Sequence, residues 1–460
     1  MTDISAPADS RYLTRKSVAL QAWPIMIANS AGPIVGLVDT GVIGQLGDKT
    51  ALAGIGLGAV IYAIFYWGFG FLRMSTAGLA AQAVGAKDEG ALQAHLMRAV
   101  PLGVFIGLIV LAAQALLLGG VFAIYTAGEA VEQAARTYLS IRLWGLPATL
   151  GGIALMGWFI GIGRPRRALY MQIGLNIINA ALSLWFVLGL NMGIAGVATA
   201  SVIAEIFGLI IGLWLARAEI ITRGGWRREA LTRKALTDRA ALSKLGVTNS
   251  NIFIRTLALT LGFNFFTWQA ANQGETFLAG NHVLLQFINM IALVLDSFAH
   301  VAEAAVGAAY GARDKLRFKR AVRLTSEFSA IAALLACAAV FLLGPYIIDF
   351  LTTEPQVRAS AKTYLPYCAL APIAGFAAWQ LDGIFIGVTA TAPMRNAGIV
   401  AVIIYIGVHF ALYPLLGAHG IWIAFLLYYI ARALTLAVGY PKILRDMERF
   451  RPCRPPQPRT

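Results

Sequence analysis

The chain has 460 residues, 58% of them hydrophobic and 13% charged. Soluble globular proteins carry about 25% charged residues, so composition excludes an ordinary soluble domain and indicates a polytopic membrane protein of mean hydropathy +0.71. The net charge of +15 sits between apolar stretches, as cytoplasmic loops do; attraction to anionic lipid heads is therefore expected, and nucleic-acid binding is not.

The first ten residues are polar and acidic (Asp3, Asp9) and do not resemble a cleavable signal, so the first apolar span is expected to serve as an uncleaved anchor. A helix needs about 20 apolar residues to cross a bilayer. On that ruler twelve spans are predicted, at 17–42, 51–80, 96–121, 133–160, 168–190, 194–216, 244–268, 277–304, 322–344, 359–387, 396–415 and 420–440. The fold class expected is an all-α membrane protein of twelve transmembrane helices in two six-helix lobes, with no β-barrel alternation. The expected domains are an N-lobe (1–216), a cytoplasmic linker (217–243), a C-lobe (244–445) and a disordered cytoplasmic tail (446–460) rich in Pro and Arg.

Charge sets the orientation. Of 37 Lys and Arg, four (Lys49, Arg136, Arg358, Lys362) fall near the outer face and four (Arg73, Arg142, Arg255, Arg432) inside spans, if the N-terminus is cytoplasmic; the other 29 are then on the inner side, eight of them between Arg217 and Lys244. The expectation is a multi-pass protein of the inner cell membrane with both termini cytoplasmic.

The chain also repeats itself. Leu52-Ala53-Gly54 recurs as Leu278-Ala279-Gly280, Gly85-Ala86-Lys87-Asp88 as Gly311-Ala312-Arg313-Asp314, Tyr138-Leu139 as Tyr364-Leu365, and Phe159-Ile160-Gly161 as Phe385-Ile386-Gly387, always 226 residues apart. The register slips only where Gly193 and Gly196 pair with Gly417 and Gly420. Two halves with six crossings each enter the membrane in the same sense, so an axis along the membrane normal would relate them. A cavity between such halves can open to either side in turn.

Several chemistries are absent. Cys337, Cys368 and Cys453 are far apart and form no disulfide framework. His95, His282, His300, His409 and His419 lack metal-ligand spacing, so no metal and no cofactor is expected. No Gly-x4-Gly-Lys-Ser/Thr stretch supports an ATP-driven pump, and no nucleophile cluster supports an enzyme.

The informative residues are those polar groups that sit in apolar spans. Asp39 lies about 22 residues into span one. An ionised Asp at bilayer centre costs roughly 2.5–3.5 kcal/mol, a cost that protonation removes, so Asp39 is a candidate ion-coupling group; the structural alternative is a polar contact between helices. Span five runs in the same direction and brings Asn176, Asn179 and Ser183 close to one face, and span six places Thr199 at similar depth. The expected N-lobe cluster is Asp39, Asn179, Ser183 and Thr199, with Asn176 beneath. Pro24 and Pro33 each remove an i→i−4 hydrogen bond from span one and mark candidate bends. In the C-lobe, Asp296, His300 and Glu303 fall on one helical face, and Arg255 and Asp382 lie at comparable depth, predicting a polar network in which Arg255 neutralises an acid. Glu205 and Arg432 share mid-depth and are candidates to pair. Trp67, Trp158, Trp185, Trp268 and Trp379 suit either a cavity lining or the membrane interface.

Val38-Asp39-Thr40, Phe71-Leu72-Arg73-Met74-Ser75-Thr76-Ala77-Gly78 with its exit to Asp88, the stretch from Tyr138 to Gly161, Leu295-Asp296-Ser297-Phe298-Ala299-His300, Leu381-Asp382-Gly383-Ile384-Phe385-Ile386-Gly387 and Met394-Arg395-Asn396, in this order, resemble the multidrug and toxic compound extrusion (MATE) family, and its DinF branch in particular. The resemblance implies a secondary antiporter that exports organic compounds in exchange for H⁺ or Na⁺. It places the family's helix-one acid at Asp39 and its helix-one proline at Pro24. Some members carry a second acid where this chain has Ser183, and others an acid on helix seven, where this chain has none; both departures favour H⁺ over Na⁺. The expected cargo is a cationic or amphipathic small molecule, the other partner is membrane lipid, and a monomer is expected. Na⁺ coupling, organic-anion export and flipping of a lipid-linked precursor are the alternatives.

Overall fold

The computed structural model describes residues 13–44, 48–124 and 128–449. Cys453 and most of the expected tail lie outside them, as do Asp3 and Asp9. Among the described residues there is no strand. The first half comprises α1 (Arg15–Gly44), α2 (Lys49–Gly68), α3 (Phe71–Gly85), α4 (Glu89–Ala112), α5 (Gln114–Ile124), α6 (Glu129–Arg142), α7 (Leu146–Gly161), α8 (Pro165–Leu184) and α9 (Gly193–Thr222). The short α10 (Arg233–Leu236) lies in the linker. Then follow α11 (Arg239–Asn272), α12 (Glu275–Gly311), α13 (Lys315–Leu351), α14 (Pro355–Gly387), α15 (Thr391–Leu416), α16 (Ala418–Ala437) and α17 (Tyr440–Arg449).

With α2–α3, α4–α5, α6–α7 and α16–α17 each taken as one broken crossing, these helices account for the twelve predicted spans. Ten stretches among the described residues are long and apolar enough to cross a membrane. Their flanks are bare of polar cover: Leu116, Tyr346, Phe350 and Leu415 are all strongly exposed, as side chains facing lipid must be. Trp67, Trp185 and Trp268 are exposed as well, whereas Trp158 and Trp379 are buried in packing. The helices overrun the expected linker at both ends, since α9 continues to Thr222 and α11 begins at Arg239, and α17 carries the helix past residue 445.

Local chemistry sets the breaks. Asp48, Asp88 and Asp314 cap the first turns of α2, α4 and α13 through their side-chain oxygens. The turns before α4 and α13 need a left-handed residue, and Lys87 (φ 58°) and Arg313 (φ 55°) supply it at matching repeat positions. Leu143–Gly145 tightens into one 3₁₀ turn, and Pro147 then opens α7.

The helices gather into two compact units. One contains the described residues of 23–80 and 88–245; the other contains the described residues of 1–22, residues 81–87 and the described residues of 246–460. In the first, α7 packs so closely that a Cβ at Gly157 would strike the Arg73 carbonyl, and one at Gly161 the Ala77 carbonyl. In the second, Gly383 meets the Ala299 carbonyl and Gly387 the Glu303 carbonyl. Each pair is displaced from its counterpart by 226 residues on both sides of the contact, so the repeat seen in sequence is a repeat of backbone approach. The core of the second unit is aromatic: Phe266, Tyr405, Trp422, Phe425, Tyr428 and Tyr429 are fully buried and mutually stacked or edge-on. Trp422 donates its Nε1 hydrogen to Asn281 Oδ1 at 2.9 Å.

Candidate functional site

In the first unit α1, α8 and α9 bring four polar side chains together. Asp39 from α1 is 5% exposed, and Asn179, Ser183 and Ser201 are more deeply buried. Ser183 Oγ donates to Asp39 Oδ1 at 3.2 Å, Ser201 Oγ lies 3.5 Å from Asp39 Oδ2, and Asn179 Nδ2 donates to Ser201 Oγ at 2.9 Å. The four-residue step from Asn179 to Ser183 stacks them on one face of α8. Asn179 Oδ1 is buried without a hydrogen-bond partner.

Ser201 holds the place expected of Thr199. Thr199 is half-buried and makes no hydrogen bond with these groups. Depth along the helix alone points to Thr199, but two residues along a helix turn the side chain through about 200°. Asn176 is half-buried on α8, one turn from Asn179. Pro24 is buried in α1; Pro33 lies in the same helix, with its side chain outside the described residues.

The same unit holds a buried ion pair. Arg142, at the end of α6, lies 2.6 Å from Glu205 Oε1 on α9. The Tyr62 hydroxyl donates to the same oxygen at 3.2 Å, and Arg142 stacks on the Tyr62 ring at 4.1 Å. Gly145 leaves room for the pair, since a Cβ there would collide with Glu205 Oε2. The pairing of Glu205 with Arg432 is thus corrected: Glu205 pairs with Arg142 and Arg432 with Asp382, each in its own unit.

In the second unit Asp382 Oδ2 receives hydrogen bonds from both Arg255 and Arg432, all three being buried. The sequence predicted Arg255 as the neutralising cation and missed Arg432, which α16 supplies from 50 residues further on. His300 and Glu303 face each other at 4.0 Å on α12. Asp296, on the same helix, is half-buried.

The buried acids are therefore held differently from one another. Asp382 has two guanidinium partners and Glu205 has one. Glu219 is ringed by Arg164, Arg167 and Arg223, and Glu303 has His300. Among the described residues Asp39 is the buried carboxylate with neutral hydroxyls as partners and no cation within ion-pair distance.

Twelve helical crossings built as a repeat, with polar groups held inside, define a membrane carrier. Residues 24–185 and 252–411 match the MatE family. DNA damage-inducible protein F of Escherichia coli (strain K12) is 36% identical over 441 residues, covering 95% of this chain and 94% of that one. A probable multidrug resistance protein NorM of Rhizobium meliloti (strain 1021) is 28% identical and covers 96% of each. An outward-facing multidrug resistance MATE family transporter of the MOP superfamily superposes with a TM-score of 0.83 at 19% identity, over 95% of this chain and 98% of that chain. The chain belongs to the MATE family of transporters.

Proposed function

We propose that the protein is a proton-coupled antiporter that exports organic cationic or amphipathic compounds by alternating access, with Asp39 as the group that takes up and releases the coupling proton. It acts as a multi-pass protein of the inner cell membrane with both termini in the cytoplasm. The reading rests on one observation: Asp39 is buried and hydrogen-bonded to hydroxyls, with no cation within ion-pair distance among the described residues, Arg142 being paired with Glu205. Protonating Asp382 or Glu205 would leave buried guanidinium groups uncompensated, at several kcal/mol each. Protonating Asp39 breaks no ion pair, and a hydroxyl is able to donate to the anion or accept from the acid.

Coupling then follows from differential affinity. Ionised Asp39 favours a cationic cargo; protonation removes that attraction and releases it, so each ligand binds the state that the other disfavours. A membrane potential of 100 mV adds about 2.3 kcal/mol per charge moved. Pro24 and Pro33 leave carbonyls in α1 without intrahelical partners, which supports α1 as the element that bends between states.

Sodium is the second reading, and the free Asn179 Oδ1 beside Asp39 favours it: with the two serine hydroxyls it completes a set of oxygens suited to a hard cation. Proteoliposomes loaded with an aromatic cation and given either a pH gradient or a Na⁺ gradient of equal size test both. Efflux driven by the pH gradient alone supports the proton; efflux driven by Na⁺ alone replaces it.

A further inference from the structure

At the start of α1 and α13, remote from Asp39 in sequence, a cavity of about 730 Å³ is lined by Thr14, Arg15, Lys16, Lys319, Arg320, Arg323, Leu324 and Glu327. Five of the eight are cations and one is an anion. Glu327 is already engaged, accepting from Arg15 at 3.0 Å and from Arg323 at 2.8 Å. Lys16, Lys319 and Arg320 have no carboxylate within ion-pair distance among the described residues. α1 opens without an acidic residue in its first turn, so the positive end of its dipole points the same way as Arg15 and Lys16, where carboxylates are normally preferred; α13 opens on the N-cap carboxylate of Asp314, before the turns that carry Lys319, Arg320 and Arg323. Thr14 and Ser17 cap α1 reciprocally through their side chains, which fixes the backbone of the cavity wall.

The apolar surroundings identify the source of the anion. On α13 the row Arg323, Glu327, Ile331, Leu335 advances four residues at a time and stays on one face. Ile331 and Leu335 are exposed, at 53% and 66%. A molecule with its anionic head among the cations thus has an unbroken apolar track along a membrane-spanning helix for its tail. We propose that this cavity is a binding site for the phosphate headgroup of an anionic lipid, held by Lys16, Lys319 and Arg320, with its acyl chain along Ile331 and Leu335. Basic pockets beside transmembrane helices recognise such headgroups, and Glu327 sets the geometry by holding Arg15 and Arg323 in place.

The test uses the full-length protein in neutral detergent and reads its melting temperature on addition of phosphatidylglycerol, phosphatidylcholine or inorganic phosphate. A triple variant, Lys16→Gln/Lys319→Gln/Arg320→Gln, is compared with a control that removes equal charge from the linker, Arg228→Gln/Arg233→Gln/Lys234→Gln. The proposal expects phosphatidylglycerol to raise the melting temperature of wild type and control alike, the triple variant to lose most of that rise, and phosphatidylcholine to have little effect. Native mass spectrometry should show one retained phosphatidylglycerol fewer in the triple variant, and Lys319→Gln alone should weaken retention. An equal rise in the triple variant, or an equal loss in the control, overturns the site. Reproduction of the rise by inorganic phosphate at the same concentration overturns the lipid as its ligand.

Discussion

The carbonyl of Ala308 occupies the space that a side chain on Gly85 would need. The relationship is reciprocal, for Gly311 meets the carbonyl of Gln82 in the same way, and both members of each pair differ by 226 residues from their counterparts. Gln82 adds hydrogen bonds to the Gly387 carbonyl at 3.0 Å and to Thr389 Oγ1 at 3.1 Å. A contact that maps onto itself when the repeat is applied is a local twofold built from two glycines.

Gly85→Ala must force these backbones apart. Overpacking of this kind costs about 1–3 kcal/mol, and the thermal half-life in detergent should fall accordingly. Gly56→Ala in α2, where nothing lies within 4 Å, should be neutral or stabilising by up to about 1 kcal/mol. Equal behaviour of the two variants would contradict the packing argument.

Asp382 stands between two buried guanidinium groups, so its removal is worse than the removal of either partner. Asp382→Asn leaves Arg255 and Arg432 facing each other, a loss of about 3–5 kcal/mol by the usual cost of breaking a buried pair. Arg432→Gln leaves Asp382 paired with Arg255 and should cost less. Melting temperatures of the purified variants give the order directly.

Glu205 and Tyr62 separate the ionic from the neutral contribution around Arg142. Glu205→Gln strands a buried cation and should lower stability by about 3–5 kcal/mol. Tyr62→Phe removes hydroxyl contacts to Glu205 and Thr149 while keeping the ring beneath Arg142, and should cost about 1 kcal/mol. Chemical unfolding in mixed micelles distinguishes them.

Ser201 and Thr199 give a direct check of which face of α9 serves the site. Ser201→Ala removes a donor to Asp39 and the acceptor for Asn179. At about 1 kcal/mol for a hydrogen bond, efflux driven by a pH gradient should drop about fivefold to tenfold. Thr199→Ala should leave it within about twofold of wild type. The reverse order would restore Thr199 to the cluster.

The twelve crossings were legible because apolar length is a one-dimensional property of the chain, and the repeat was legible because its constant offset survives where single matches are short. Asp39, Asn179 and Ser183 were legible from helical spacing within known directions of travel. Ser201 was not, because depth along a helix does not fix rotation about its axis. The partner of Glu205 was not, because at mid-depth Arg142 and Arg432 look alike until tertiary packing brings α6 against α9 and α14 against α16. The 3₁₀ turn at Leu143–Gly145 gave a signal that could have helped, since the Gly145-Leu146-Pro147 step ends one helix beside Arg142.

The most direct measurement is pH-gradient-driven efflux of an aromatic cation from proteoliposomes containing Asp39→Asn, with membrane insertion and melting temperature checked in parallel. Asn is close in size and keeps one acceptor oxygen, and the serine hydroxyl that meets its NH2 group can turn to accept instead of donate, so the variant should insert and melt like wild type yet show no efflux above empty liposomes. Efflux at the wild-type rate from correctly inserted Asp39→Asn would contradict the assignment of the coupling proton to this side chain.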